Sequence, residues 1–276
     1  MKLLNGTELA GYIKERQAKQ VRNLRHAWKV IPKLAIVQTI DDPVIDTYVR
    51  LKQTYGEDIL VDVEVHKVDQ ADLFSIIEKL NNDELVHGII IQLPLADNSE
   101  TDKAVKSVST AKDVDGLGEG TKFIPATPMA IDWLLVGYNI ELQNKKIAIV
   151  GKGRLVGAPL ASLWQKQGHD ITMFDKTSSE DLAVSLRQFD IIVTAAGKPH
   201  LITSESVKIG AVVIDAATSS EEGKIVGDVD ESVRLRDDIT ITPEKGGVGP
   251  LTVTALFDNV ITAARRVADA QSPKEI

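Results

Sequence analysis

Residues 146–168 read KIAIVGKGRLVGAPLASLWQKQG, and their order decides the fold class: an apolar run, glycines at 151, 153 and 157, then a helix-like stretch with Pro159 near its first turn. A buried strand leading through glycine into a helix is the opening unit of a doubly wound, parallel α/β domain. Glycine lets the backbone approach a pyrophosphate closely, and a helix N-terminus turns free N–H groups and a positive dipole end toward negative charge. The spacing is GxGxxxG rather than GxGxxG, and a tight βα turn needs glycine for steric reasons alone. The strand before and the helix after carry the dinucleotide reading past that, with Gly151, Lys152, Gly153, Leu155, Val156 and Gly157 as candidate contacts.

Working outward, DITMFD (170–175) ends a second strand in Asp175, where a carboxylate accepts hydrogen bonds from an adenosine ribose diol; this favours NAD. Lys152 and Lys176 stand at the same corner and could hold a 2′-phosphate, which keeps NADP open, and Asp175 also reads as a solvated turn residue. DIIVTAAG (190–197), AVVIDAAT (211–218) and ITIT (239–242) continue the series, giving five short buried strands with KIAIVG. Ala196 and Gly197 end another strand, where the glycine could admit the ligand at the carboxyl edge of the sheet, and Ala217 and Thr218 are further candidate cofactor contacts.

Toward the N-terminus, residues 7–27 carry a helical apolar stripe, and 33–40, 58–68 and 87–95 read as strands separated by helix-like stretches. This βαβ alternation implies a second parallel sheet covered on both faces. The polar, glycine-containing segment 108–128 interrupts it and reads as a functional loop and domain boundary. MAIDWLLVGYNI (129–140) comes next as a connecting helix, and 251–270 forms a last helix that could return to the first half. The expected domains are therefore 1–125 plus 251–276, and 126–250.

With 32 Lys and Arg against 40 Asp and Glu, the net charge of −8 argues against a nucleic-acid surface. Hydrophobic residues at 43% and charged residues at 26% are ordinary for a globular chain. The absence of cysteine excludes disulfides, thiolate zinc sites and a cysteine nucleophile; no metal site is expected. The N-terminus lacks an apolar signal core and no run is long enough to cross a bilayer, so the reading is cytoplasmic, without a membrane partner.

In DDPVIDTYVRLKQTYG (41–56), Tyr48 and Lys52 stand four apart and share a helix face. A phenol beside an amine can relay a proton, although the same spacing describes an ordinary half-exposed surface. Gln92 ends an apolar run just before Leu93 and Pro94, where an amide can orient a water or a ligand oxygen. KDVDG (112–116) adds two loop carboxylates, and Asp-Gly is equally a routine turn. PEKGGVGPLT (243–252) suits close backbone contact with a flat ligand, or serves as a flexible connector.

Taken in order, LLNGTELA, DDPVIDTYVRLK, GIIIQLPL, KDVDG, PATP, GKGRLVGAP, AAGKP, GAVVIDA, VGDVD and TPEKGGVGPLT run along nearly the whole chain. By these motifs the chain resembles the bifunctional methylenetetrahydrofolate dehydrogenase/methenyltetrahydrofolate cyclohydrolase family. The resemblance implies tetrahydrofolate derivatives as substrates, NAD(P) as cofactor and a homodimer. It makes Lys52 the cyclohydrolase acid/base, with Tyr48 and Gln92 positioning it and the water, and Asp115 on the pterin ring. Leu93, Pro94, Gly247, Val248, Gly249, Pro250 and Leu251 are the further implied folate contacts.

The chain departs from the family pattern mostly on the cofactor side. Gly151-Lys152-Gly153 stands for the usual Gly-Arg-Ser, Phe174-Asp175-Lys176 for Cys-His-Ser, Ala217-Thr218-Ser219 for Gly-Ile-Asn, and Glu244-Lys245 for Val-Pro. Tyr48, Lys52, Gln92 and Asp115 are all present, which weights the expectation toward cyclohydrolase activity. The alternatives are a single-activity cyclohydrolase, an NAD-specific dehydrogenase, or a non-catalytic dinucleotide sensor.

Overall fold

The computed structural model describes residues 1–175, 182–221 and 224–271. Its elements are β1 (Lys2–Leu3), α1 (Gly6–Ala27), β2 (Lys33–Gln38), α2 (Pro43–Ile59), β3 (Asp62–Lys67), α3 (Leu73–Asn82), β4 (Gly88–Ile91), α4 (Thr101–Ser107) and α5 (Ala126–Gly137). The chain continues through β5 (Ile147–Val150), α6 (Gly157–Lys166), β6 (Ile171–Phe174), α7 (Leu182–Leu186), β7 (Ile191–Thr194) and β8 (Val212–Asp215). It ends with β9 (Ser219–Glu221), β10 (Lys224–Val226), α8 (Glu231–Arg234), β11 (Thr240–Ile241) and α9 (Val248–Gln271). Two compact units emerge: residues 1–10 with 127–252, and residues 11–126 with 253–276. Among the described residues no helix is long and apolar enough to cross a membrane.

The unit of residues 11–126 and 253–276 is built on a parallel sheet of order β3-β2-β4. β4 is buried throughout and β2 beyond its first residue, as expected of strands covered on both faces. From β2 the chain passes to β3 on one side and returns to β4 on the other, so the carboxyl ends of β2 and β4 form a topological switch point.

Asp42 caps α2 by accepting from Val44 N and Ile45 N at 2.8 and 3.0 Å, with Pro43 at the first turn, where its missing N–H costs nothing. Ile45, Val49, Gly56 and Ile59 form the buried face of α2. Leu60 ends the helix in the left-handed conformation, φ 65°. The strand read from residue 58 therefore starts only at Asp62, because Ile59 is packed with no exposed surface as the last helical residue. The tail of α9 packs with the first-half helices. Buried Gln17 donates to Thr254 O at 2.9 Å, Tyr55 donates its hydroxyl to Gln17 Oε1 at 2.8 Å, and the Tyr55 and Phe257 rings lie 5.0 Å apart.

The other unit holds a six-stranded sheet of order β1-β11-β8-β7-β5-β6, parallel at every pairing. β5 and β7 are buried at every position. β6 is the edge strand and is half-exposed, which corrects the reading of five buried strands. The sixth strand, β1, pairs Lys2 with Thr240 and Leu3 with Ile241, and a short antiparallel pair, β9 with β10, adds to the unit; neither was read from the sequence. The chain leaves β5 for β6 on one side and comes back to β7 on the other, so the turn after Val150 sits at this sheet's switch point.

Candidate active site

In the first-half unit, β4 delivers Gln92 from its carboxyl end and α2 delivers Lys52. Lys52 Nζ donates to Gln92 Oε1 at 2.9 Å, while Gln92 Nε2 donates to Leu93 O at 3.1 Å, so the amide oxygen is turned toward the amine. The Leu93–Pro94 peptide is cis, and Pro94 is exposed. Burial lowers the Lys52 pKa, and the nearby Asp115 carboxylate partly restores it. Desolvation pushes Asp115 up to about 6, opposed by the Lys52 charge and assisted by Asp113. A half-buried amine beside a half-buried acid, each displaced toward its neutral form by lost hydration, is the arrangement that proton transfer near neutral pH requires. Tyr48 is half-buried one turn before Lys52.

The two KDVDG carboxylates, alike in sequence, part company in the structure. Asp113 is 3% exposed and spends both oxygens on the loop. Oδ1 accepts from Gly116 N at 3.1 Å and Leu117 N at 3.4 Å, and Oδ2 accepts from Gly118 N at 2.8 Å. A Cβ at Gly118 would lie 2.9 Å from that oxygen, so glycine is needed for the turn to close on the acid. Lys112 donates to Leu80 O and Asp83 O at 2.9 and 2.6 Å, capping the end of α3. Asn259 of α9 donates to Val114 O and Ile124 O at 2.8 and 2.9 Å, pinning both ends of the loop. Asp115 is left to face Lys52. The sequence reading missed Asn259, and the only signal for it was a polar residue on the apolar stripe of the last helix.

In the second-half unit, Gly151 has φ 105° and its N–H donates to Phe174 O at 2.8 Å. A Cβ there would lie 2.4 Å from Ala195 O, and one at Gly157 would lie 1.9 Å from Gly151 O. Both glycines are demanded by the chain's own packing. Gly153 differs: nothing lies within 4 Å of where its Cβ would be. It is exposed, as are Lys152 and Leu155, with Val156 half-buried just before α6. Open backbone at the N-terminus of a ten-residue helix and at a sheet switch point fits a dinucleotide pyrophosphate. Asp175 is half-buried at the end of β6, Ala196 and Ala217 are half-buried, and Gly197 and Thr218 are exposed. Lys176 lies outside the described residues.

Gly247, Val248, Gly249, Pro250 and Leu251 belong to this second unit, unlike Tyr48, Lys52, Gln92 and Asp115. Gly246 O accepts from Gly6 N and Thr7 N at 2.8 and 3.1 Å, and a Cβ at Gly6 would lie 1.9 Å from Gly247 O. The N-terminal NGT segment thus seats on bare backbone of this loop. Val248 and Leu251 are buried and Gly249 is exposed. Among the described residues no cluster suited to a metal ion occurs.

Residues 4–115 match the family model for the catalytic domain of tetrahydrofolate dehydrogenase/cyclohydrolase, and residues 125–268 match the model for its NAD(P)-binding domain. The chain is 36% identical over 280 residues to the bifunctional protein FolD of Halothermothrix orenii, covering 96% of this chain and 98% of that protein. The crystal structure of the bifunctional enzyme FolD from Campylobacter jejuni superimposes with a TM-score of 0.91 at 34% identity, over 97% of this chain and 99% of that one. The Trypanosoma brucei methylenetetrahydrofolate dehydrogenase-cyclohydrolase, solved with NADP cofactor and an inhibitor, gives 0.90 at 29% identity, over 98% of each chain. Matched in both halves, and over nearly its full length by relatives of the same architecture, the chain belongs to the tetrahydrofolate dehydrogenase/cyclohydrolase family.

Proposed function

We propose that the half-buried Lys52–Gln92 pair, with Asp115 beside it, performs the cyclohydrolase half of a bifunctional reaction. The chain is a methylenetetrahydrofolate dehydrogenase and methenyltetrahydrofolate cyclohydrolase of folate one-carbon metabolism, oxidising 5,10-methylenetetrahydrofolate and hydrolysing the methenyl product to 10-formyltetrahydrofolate. Water adding to the methenyl carbon must lose a proton, and the C–N bond that then breaks must gain one at nitrogen while the hydroxyl gives one up. One proton is released overall. Lys52, kept toward the neutral amine by burial, accepts the first proton and as ammonium delivers one to the leaving nitrogen. Gln92 aims the amine, Tyr48 lines the same helix face, and Asp115 holds the pterin ring.

The observation that carries this reading is the 2.9 Å contact between Lys52 and Gln92 beside an acid held at about 6. Lys52→Met is expected to slow methenyl hydrolysis by at least about 100-fold, as for a lost general base, with measurable dehydrogenase activity retained. Equal loss of both activities in a folded variant would overturn the assignment.

For the dehydrogenase half, methylene oxidation leaves a cation stabilised by two flanking nitrogens, so the protein's task is orientation. Bound NAD(P) supplies the hydride acceptor. Gly151, Gly153 and Gly157 with the start of α6 would hold its pyrophosphate, flanked by Lys152, Leu155 and Val156; Ala196, Gly197, Ala217 and Thr218 would line the remainder. Asp175 favours NAD through the ribose diol, with Lys152 as the competing cation for NADP. The expected outcome is a larger kcat/KM with NAD than with NADP; the reverse order would refute the role given to Asp175. A cytoplasmic homodimer completes the reading, and light scattering of the purified chain tests the dimer.

A further inference from the structure

Asp228, the first acid of VGDVD (226–230), takes no part in the chemistry proposed above, yet it has no exposed surface and its two oxygens are filled by donors from one short segment. Oδ2 accepts from Thr194 Oγ1 at 2.5 Å and Ala196 N at 2.7 Å, and Oδ1 accepts from Lys198 N at 2.7 Å. The segment is the end of β7 and the turn beyond it, where Gly197 has φ 64°. Ala196 packs against the core of the sheet, while Gly197 and Lys198 are exposed, so the outer half of this turn is held by hydrogen bonds rather than by apolar packing. On its other side Ala195 N donates to Val150 O at 2.8 Å, and Ala195 O lies where a Cβ on Gly151 would clash. Asp228 is itself anchored: its N–H donates to Asp215 Oδ1 at 3.2 Å, and Asp215 pairs with Arg234 at 3.0 Å, both side chains largely buried. Burying a carboxylate is expensive unless its hydrogen bonds are satisfied. Here all three go to the backbone or hydroxyl of one open turn beside the glycine turn.

We infer that Asp228 is a positioning residue for dinucleotide binding, setting the backbone of residues 195–198 against the glycine turn after β5. The inference rests on the reading that NAD(P) binds at the carboxyl ends of β5 and β7. Asp228 is assigned no contact with substrate or cofactor, and acts through the turn alone.

In Asp228→Asn only one side-chain atom can accept, so either Ala196 N–H or Lys198 N–H, each a donor only, loses its acceptor. Charge-assisted bonds of this kind correspond to about tenfold or more in an equilibrium constant. Asp228→Asn should raise KM for NAD(P) and its Kd by about tenfold or more, with kcat changing far less. Hydrolysis of methenyltetrahydrofolate without added dinucleotide should be unchanged. Thr194→Val, a milder perturbation that decides the matter if Asp228→Asn does not fold, should move KM in the same direction by a smaller factor. Unchanged dinucleotide affinity in the folded variants overturns the inference, as does a parallel fall in methenyl hydrolysis, which would indicate general damage. Gly153→Asp separates the role of Asp228 from the placing of the cofactor. If it weakens NAD(P) binding while the Asp228 and Thr194 variants do not, only the role of Asp228 fails; if it leaves binding intact, the cofactor face is wrong and the inference falls with it.

Discussion

Asp115→Asn should stabilise the protein at pH 8 while damaging the cyclohydrolase. Asp115 is pushed from its ordinary 3.8 to about 6 by loss of hydration, so the folded protein binds its proton more tightly than the unfolded chain. Linkage then fixes the sign: below 3.8 both states are protonated and nothing is gained or lost. As pH rises from 3.8 through about 6 the folded state falls behind, and above 6 the full penalty is present. That interval corresponds to about 3 kcal/mol. Because the side chain keeps some contact with solvent, about 3 kcal/mol is a ceiling. Asparagine copies the neutral acid and removes the penalty. Urea unfolding should therefore show the variant more stable by up to about 3 kcal/mol at pH 8, with the advantage shrinking to about 1 kcal/mol near pH 4.5. Hydrolysis of methenyltetrahydrofolate by the variant should fall, and its pH profile should shift to lower pH, since Asp115 is the charge that raises Lys52. A stability change that is the same at both pH values, or a loss at pH 8, would show that the carboxylate is not held against its own hydration.

Two further substitutions probe the glycine turn and one probes the loop. Gly157→Ala should lower stability by about 3 kcal/mol, because its Cβ would lie 1.9 Å from Gly151 O. Gly153→Ala should leave thermal unfolding within about 0.5 kcal/mol of the parent, since nothing lies within 4 Å of its Cβ, yet weaken NAD(P) in a binding titration. Asn259→Leu removes the donor to both Val114 O and Ile124 O; with each orphaned carbonyl costing about 1–3 kcal/mol, urea unfolding should report a loss of about 2–6 kcal/mol, together with a raised KM for the methenyl substrate.

How much of the fold is legible in the sequence depends on how local each cause is. The glycine turn was legible because its constraint lies within a dozen residues: a strand must turn into a helix past its own carbonyls, and Gly151 and Gly157 are the residues the backbone permits. The tail helix was legible from its stripe. β1 was not, because Lys2 and Leu3 are exposed and become a strand only by pairing with Thr240 and Ile241. The end of α2 was misplaced because DILVDVEV looks extended throughout, whereas Ile59 is held by burial as the last residue of the helix. Asp113 and Asp115 could not be told apart, since they are separated by which backbone N–H groups the loop turns inward.

The group proposed for proton transfer shows the same limit more sharply. Tyr48 and Lys52 on one helix face are unremarkable until Gln92, 40 residues beyond Lys52, arrives at the end of β4 with its oxygen turned to the amine. That meeting is set by topology: β2 pairs in parallel with both β3 and β4, so α2, which leaves the carboxyl end of β2, starts beside the segment that leaves the carboxyl end of β4. The six-stranded sheet repeats the device around β5, where the glycine turn, Asp175 and the Asp228-held turn of β7 all lie at carboxyl ends. A parallel sheet places its chemistry where strand order reverses because the connecting segments diverge there and leave backbone and side chains without competing cover. Ionisable groups deprived of water at such a point are costly to stability, and the displaced Lys52 and Asp115 carry that cost at the site proposed for proton transfer.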